Sequence, residues 1–259
     1  RCSTCGRGEG GAGRRAFLPA CLSTFRPASV FVYPSPAMAS LLYTAHVPEG
    51  ENLPTVPAVI ALHGWGAGAH DLLGLAPSLH DGKVLMLCPQ GPVELNVGGG
   101  MKGYGWFPLV PGQPADPVAF EASAKRLREF LDEVVPKYSI DPRRTIVAGF
   151  SQGGVMAYEL ALRDPKRFAG LVALSTWFPE QLIESLPKLP EHEGFPVLVM
   201  HGTEDTMLPV EKARESREAL RPFGVSITYR EFDMAHEIRP DALRVLLRWL
   251  DERILQRAS

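Results

Sequence analysis

Ser151 stands in Gly149-Phe150-Ser151-Gln152-Gly153-Gly154, between the apolar run 145–150 and a segment, 152–163, whose apolar residues have helical spacing. This is a G-x-S-x-G pattern in a strand–turn–helix context, the setting in which a serine hydroxyl is lifted clear of a sheet. Glycines two positions either side let the strand and helix backbones approach closely. A serine hydroxyl attacks poorly until a base takes its proton, and the base needs an acid to orient it. Both partners follow in order. "VLVMHGTEDTMLPV" gives a strand end and then Asp205; "TYREFDMAHEIRP" gives another strand end and then His236. The chemistry implied is acyl transfer, with Ser151 as nucleophile, His236 as base and Asp205 as acid.

Other acids and bases compete. Glu204 adjoins Asp205 and is expected to point elsewhere, and Asp233, three residues before His236, is read as fixing that turn. His63 and His201 lie at strand-to-glycine junctions and read as structural; His46, His70, His80 and His192 lack a suitable placement. Acyl transfer also needs donors for a developing oxyanion. The N–H of Gln152 follows the serine and opens a helix, so it is one candidate. Trp65, between Gly64 and Gly66 in "LHGWGAGAHD", is the other. That loop lacks the Lys-Ser/Thr of a phosphate loop.

Short apolar runs must position these loops. Residues 58–64, 83–89, 145–150, 170–175 and 196–202 read as strands buried on both faces, and 226–232 alternates like a strand nearer the sheet edge. Between them, Asp116-Pro117 opens a helix that Pro136 is expected to stop, and further helices are read at 152–163, 211–222 and 240–254. In the last, Leu243, Leu246, Leu247, Leu250 and Ile254 form the apolar stripe. Alternating strands and helices predict an α/β fold with a mostly parallel sheet covered on both faces, and ligands beyond the carboxyl ends of the strands.

Composition narrows the function. The 259 residues are 45% hydrophobic with a formal charge of −2, so no basic footprint for nucleic acid is visible. No apolar run reaches the length of a membrane-spanning helix. Residues 1–37 differ: they are rich in Arg, Gly, Ser and Pro, carry one acid, Glu9, and hold three of the four cysteines. They read as a disordered leader or upstream segment ahead of one domain, 38–259. Arg14-Arg15 with Ala37-Met38-Ala39 fits an export signal, and the low acid content fits a plastid-type transit peptide. Translation starting at Met38 would make the protein cytoplasmic. Cys2 and Cys5 have zinc-knuckle spacing without a second ligand pair, and Cys88 reads as a small buried hydrophobe. No set of residues with metal-ligand spacing lies near Ser151, so neither metal nor cofactor is expected.

"GFSQGG" with "LHGWG", "HGTEDTMLP" and "MAHE" resembles the phospholipase/carboxylesterase family of α/β-hydrolases, which includes carboxylesterases and acyl-protein thioesterases. The resemblance covers 41–254. It implies the same triad of Ser151, Asp205 and His236, with Trp65 and Gln152 as oxyanion donors. It also implies that 88–107 and 174–179 line an acyl pocket. Trp106, Phe107, Trp177 and Phe178 are then substrate-binding candidates, with core aromatics as the alternative reading. Trp65 stands where the family commonly has Leu, which would narrow the pocket mouth, and Ala235 replaces a common Gly. No insertion long enough for a lipase-type lid is present, and 176–195 is expected to be a partial cover.

The expected activity is hydrolysis of short- to medium-chain acyl esters through an acyl-enzyme. Removal of acyl groups from protein cysteines or lysophospholipids is the alternative, and a non-catalytic small-molecule receptor on the same fold is a distant rival. The expected partner is a small-molecule ester, with a homodimer left open.

Overall fold

A computed structural model describes residues 30–33, 41–110 and 113–255. The runs Ala58–Leu62 (β3), Leu85–Pro89 (β4), Thr145–Phe150 (β7), Gly170–Leu174 (β8) and Pro196–Gly202 (β9) are parallel central strands, with Ser226–Phe232 (β10) parallel to β9 at the edge. Their apolar runs are continuous because both faces are covered. Successive side chains point to opposite faces, so each strand feeds two cores. Ile60, Leu62, Val147, Leu171, Val197 and Val199 join one; Val59, Ala61, Ile146, Val172, Leu198 and Met200 join the other.

The first core is closed by Pro117–Tyr138 (α1), Gln152–Arg163 (α2) and Val210–Leu220 (α4), through residues such as Leu127, Val155 and Leu220. Leu182 of the short helix Glu180–Ser185 (α3) adds to it. The second core is closed by Pro240–Leu255 (α5), through Leu246, Trp249 and Leu250, and by the kinked segment Leu73–Gly82. Cys88 is buried there, and burial pushes its thiol up to about 12, so it behaves as an inert hydrophobe. Among the described residues no helix is long and apolar enough to cross a membrane.

Three features depart from the sequence reading. First, Val30–Tyr33 (β1), inside the segment assigned to the leader, pairs antiparallel with Tyr43–His46 (β2), which pairs antiparallel with β4. The sheet order is therefore β1-β2-β4-β3-β7-β8-β9-β10. "VFVY" is a run of β-branched and aromatic strand formers, hidden by the composition around it. The boundary at 37 is corrected accordingly; the rest of 1–37, including Cys2, Cys5 and the signal-like motifs, lies outside the described residues. Second, α1 continues past Pro136 to Tyr138. Asp116 Oδ1 caps its start by accepting from Val118 N, and its end closes with Ser139 in the left-handed region at φ 52° and Ile140 N donating to Val135 O. Third, Val93–Asn96 (β5) and Lys102–Gly105 (β6) form an antiparallel hairpin apart from the main sheet.

Candidate active site

The turn between β7 and α2 holds Ser151 at φ 51° and ψ −121°. A non-glycine residue there carries strain of about 1–3 kcal/mol, which surrounding contacts must hold. Ser151 N donates to Leu174 O at 2.9 Å, and Ser151 O accepts from Gly154 N at 2.9 Å and Thr176 Oγ1 at 2.7 Å. The flanking glycines are required by close approach. A Cβ on Gly149 would lie 2.2 Å from Gly153 O, and one on Gly153 would lie 2.1 Å from Leu62 O. The sequence motif and the strained geometry are one fact.

The loops after β9 and β10 bring Asp205 and His236 together. His236 Nδ1 lies 2.6 Å from Asp205 Oδ2, while Asp205 Oδ1 accepts from Met207 N at 3.0 Å and Leu208 N at 2.8 Å. The Asp205 side chain is fully buried and His236 is largely so. A carboxylate only accepts, so Nδ1 carries the proton and Nε2 is left as the basic nitrogen. The His236 ring packs on Phe150, the neighbour of Ser151, with centroids 4.9 Å apart. No hydrogen bond joins Ser151 Oγ to His236 among the described residues; such bonds commonly tighten only when a substrate is bound.

Neither competing acid bonds His236 among the described residues, and the Asp233 carboxylate accepts from Thr203 Oγ1 at 3.4 Å. Asp233 O accepts from Arg239 Nη1 at 2.9 Å, which ties the His236 turn.

The Gly64–Gly68 loop lies against the Ser151 turn: a Cβ on Gly64 would sit 3.4 Å from Ser151 Cβ. Trp65 N makes no hydrogen bond among the described residues, and Gln152 N opens α2, where helix N–H groups lack intrahelical acceptors. Two free donors therefore flank the serine, and α2 adds its positive dipole end. The Trp65 ring lies on Gly105, where a Cβ would come within 2.3 Å of Trp65 Cε3, and the residue remains 37% exposed.

Sequence reasoning missed what holds this loop in place. His63 Nδ1 donates to Gly64 O at 2.7 Å and His63 Nε2 accepts from Gly91 N at 2.9 Å, a pairing that fixes the tautomer. Burial lowers the pKa of His63 and keeps it neutral. The hairpin adds Gly66 N to Tyr104 O at 2.9 Å and Tyr104 N to Ala67 O at 2.7 Å. The Gln152 side chain, fully buried, donates from Nε2 to Phe107 O at 2.6 Å and accepts from Trp106 N at 2.8 Å. Apart from His63 to Gly64, no local pattern flags these contacts, because their partners are 28 to 46 residues apart in the chain.

Phe107, Trp177 and Phe178 line a cleft of about 720 Å³ with Leu109, Pro179 and Ile183. Its lining includes none of Ser151, Asp205 and His236; two bonds link it to the serine turn, Gln152 Nε2 to Phe107 O and Thr176 Oγ1, on the residue before Trp177, to Ser151 O. Trp106 is not part of it. That ring is fully buried and donates from Nε1 to His63 O at 2.9 Å, so it is a core support beneath the Gly64–Gly68 loop. Among the described residues no group of three or more His, Cys, Asp or Glu is placed to hold a metal ion.

Comparison with known proteins places this geometry in context. A family model described as phospholipase/carboxylesterase matches residues 45–254. Acyl-protein thioesterase 1 of Gibberella zeae is 26% identical over 206 residues, covering 71% of this chain and 85% of that protein. Carboxylesterase SOBER1 of Arabidopsis thaliana is 27% identical over 172 residues, covering 64% and 74%. The carboxylesterase from Mesorhizobium loti superposes with a TM-score of 0.73 at 16% identity, over 85% of this chain and 98% of that one, and so shares the fold.

Proposed function

The chain belongs to the phospholipase/carboxylesterase family of α/β-hydrolases, and from that premise we propose that it is a serine hydrolase of short- to medium-chain carboxylic esters. The observation that carries this reading is the 2.6 Å pairing of His236 with buried Asp205 beside a serine at φ 51° on a strand–helix turn. His236 Nε2 takes the Ser151 hydroxyl proton as Oγ bonds to the ester carbonyl carbon. The carbonyl oxygen becomes an oxyanion, held by Trp65 N–H and Gln152 N–H. The intermediate collapses, breaking the carbon–alkoxide bond, and the departing alcohol receives the proton from His236. Water repeats the cycle: His236 takes its proton, the acid is released, and Ser151 regains its hydrogen. Asp205 keeps the imidazole in the reactive tautomer and stabilises its cation. The cleft bordered by Phe107, Trp177 and Phe178 receives the acyl chain.

The likeness to acyl-protein thioesterase 1 favours a second reading, in which the acyl group sits on a protein cysteine. The same triad serves both, because a thiolate leaves more readily than an alkoxide.

A fluorophosphonate probe combined with turnover assays on ester and thioester series tests the proposal. Labelling is expected on Ser151 alone and absent in Ser151→Ala. Ser151→Ala, His236→Ala and their double variant should each lose turnover by a similar factor, on the order of a millionfold in comparable hydrolases. Asp205→Asn should lose somewhat less. Labelling at another serine, or a larger loss in Glu204→Gln than in Asp205→Asn, overturns the assignment.

A further inference from the structure

His201, next to last in β9, is fully buried and has two features that a packing role does not require. Its Nε2 lies 2.8 Å from Leu208 O and 3.4 Å from Asp205 Oδ2. A carbonyl only accepts, so Nε2 carries the proton and donates it to Leu208. Leu208 also donates its N–H, on the preceding peptide unit, to Asp205 Oδ1 at 2.8 Å. A continuous chain of contacts thus runs from His201 through Leu208 to Asp205, and from Asp205 Oδ2 to His236 at 2.6 Å. The second feature is on the opposite side of the ring. His201 Nδ1 is buried without a hydrogen-bond partner among the described residues, and so is Ser175 Oγ, on the residue that follows β8.

We propose that His201 is a positioning residue for the acid of the site: as a neutral donor it clamps Leu208 through its carbonyl, and Leu208, whose N–H holds Asp205 Oδ1, aims the carboxylate at His236. This rests on the triad reading above. The clamp matters because 203–209 is a loop without regular structure of its own, and Asp205 must stay within hydrogen-bond reach of a histidine on a different loop. A misplacement on the order of 1 Å at such a site costs roughly a hundredfold in rate.

The neutral state follows from the surroundings. The titratable groups facing His201 are Asp205 and His236 from the loops and Glu231, its register partner on β10. Glu231 is engaged by Arg214 and Tyr229, which leaves burial as the dominant influence on the ring. Protonation would add a buried Nδ1–H with no acceptor.

Two amide replacements of the full chain separate clamp from filler. His201→Gln carries its NH₂ near the position of Nε2 and can still donate to Leu208 O; His201→Asn is too short to reach it. We expect His201→Gln to keep kcat within about threefold of wild type. His201→Asn should lose roughly ten- to a hundredfold in kcat with KM little changed, since the cleft is untouched. Equal activities in the two variants, or a loss confined to KM, overturn the proposal. His201→Asn failing to fold while His201→Gln is fully active supports it; both failing to fold overturns it in favour of a packing role. Fluorophosphonate labelling of wild-type Ser151 runs in parallel, so failure of the triad reading appears as an unlabelled wild type rather than as a difference between variants.

Discussion

Gln152 grips Phe107 from the opposite side of the serine turn, donating from its side-chain Nε2 to Phe107 O at 2.6 Å while its own backbone N–H stays free at the start of α2. One residue therefore combines the donor proposed for the site with an anchor for the segment after β6 that borders the cleft. Gln152→Leu keeps the backbone donor but strands Trp106 N and Phe107 O in a buried setting, at a cost of about 1–3 kcal/mol each. Thermal unfolding should show a large loss of stability, and turnover per folded molecule should fall less than in Ser151→Ala. A Gln152→Leu protein as stable as wild type would mean that the two backbone groups find other partners.

Trp65 separates chain-length preference from chemistry. Its ring rests on Gly105 and is 37% exposed, whereas its proposed catalytic contribution is the backbone N–H. Trp65→Leu should raise relative turnover of longer acyl esters while short esters keep rates near wild type. A uniform drop across all chain lengths would show that the indole holds the Gly64–Gly68 loop in shape.

The fragment 38–259 lacks β1, whose removal uncovers the edge of β2, three strands from β7 in the sheet order. Turnover per folded molecule should persist, because the site lies far along the sheet. The bared edge should lower the unfolding temperature and promote self-association, both readable by calorimetry and size-exclusion chromatography. Loss of turnover in a folded fragment would place β1 in the support of the site.

Stability should fall with acid below about pH 6.5. Burial lowers the pKa of both His63 and His201 from the ordinary 6.5, so each is neutral in the fold at a pH where the unfolded chain binds a proton. The stabilisation is fully present above the unfolded value and is lost as pH falls through 6.5 toward the folded values. Each group adds a slope of up to about 1.4 kcal/mol per pH unit in that window. Unfolding temperatures across pH 5 to 8 should show this decline, and His201→Gln should flatten it. An identical slope in that variant would assign the acid sensitivity to other groups.

The local order of the chain determined which segments are strands and helices and which loops carry Ser151, Asp205 and His236. Short continuous apolar runs bounded by Gly or Pro, such as "AVIAL" and "PVLVMHG", read as strands buried on both faces, and a strand–Gly-x-Ser-x-Gly–helix junction carries its own geometry. Tertiary structure decided what no short window holds. The antiparallel pairing of "VFVY" with β2 depends on a partner strand that begins ten residues later, beyond a change of composition. The division of four aromatics into the core support Trp106, whose indole meets His63 O, and the cleft-lining Phe107, Trp177 and Phe178 depends on how separate elements pack. His63 and His201 look alike in sequence, each before a glycine at a strand end. One braces the Gly64–Gly68 loop through Gly91 and the other reaches Leu208, because the sheet places them at the ends of β3 and β9, next to different loops. Hydrogen bonds are short-range and directional, so their partners are set by packing between elements, which periodicity along one element does not encode.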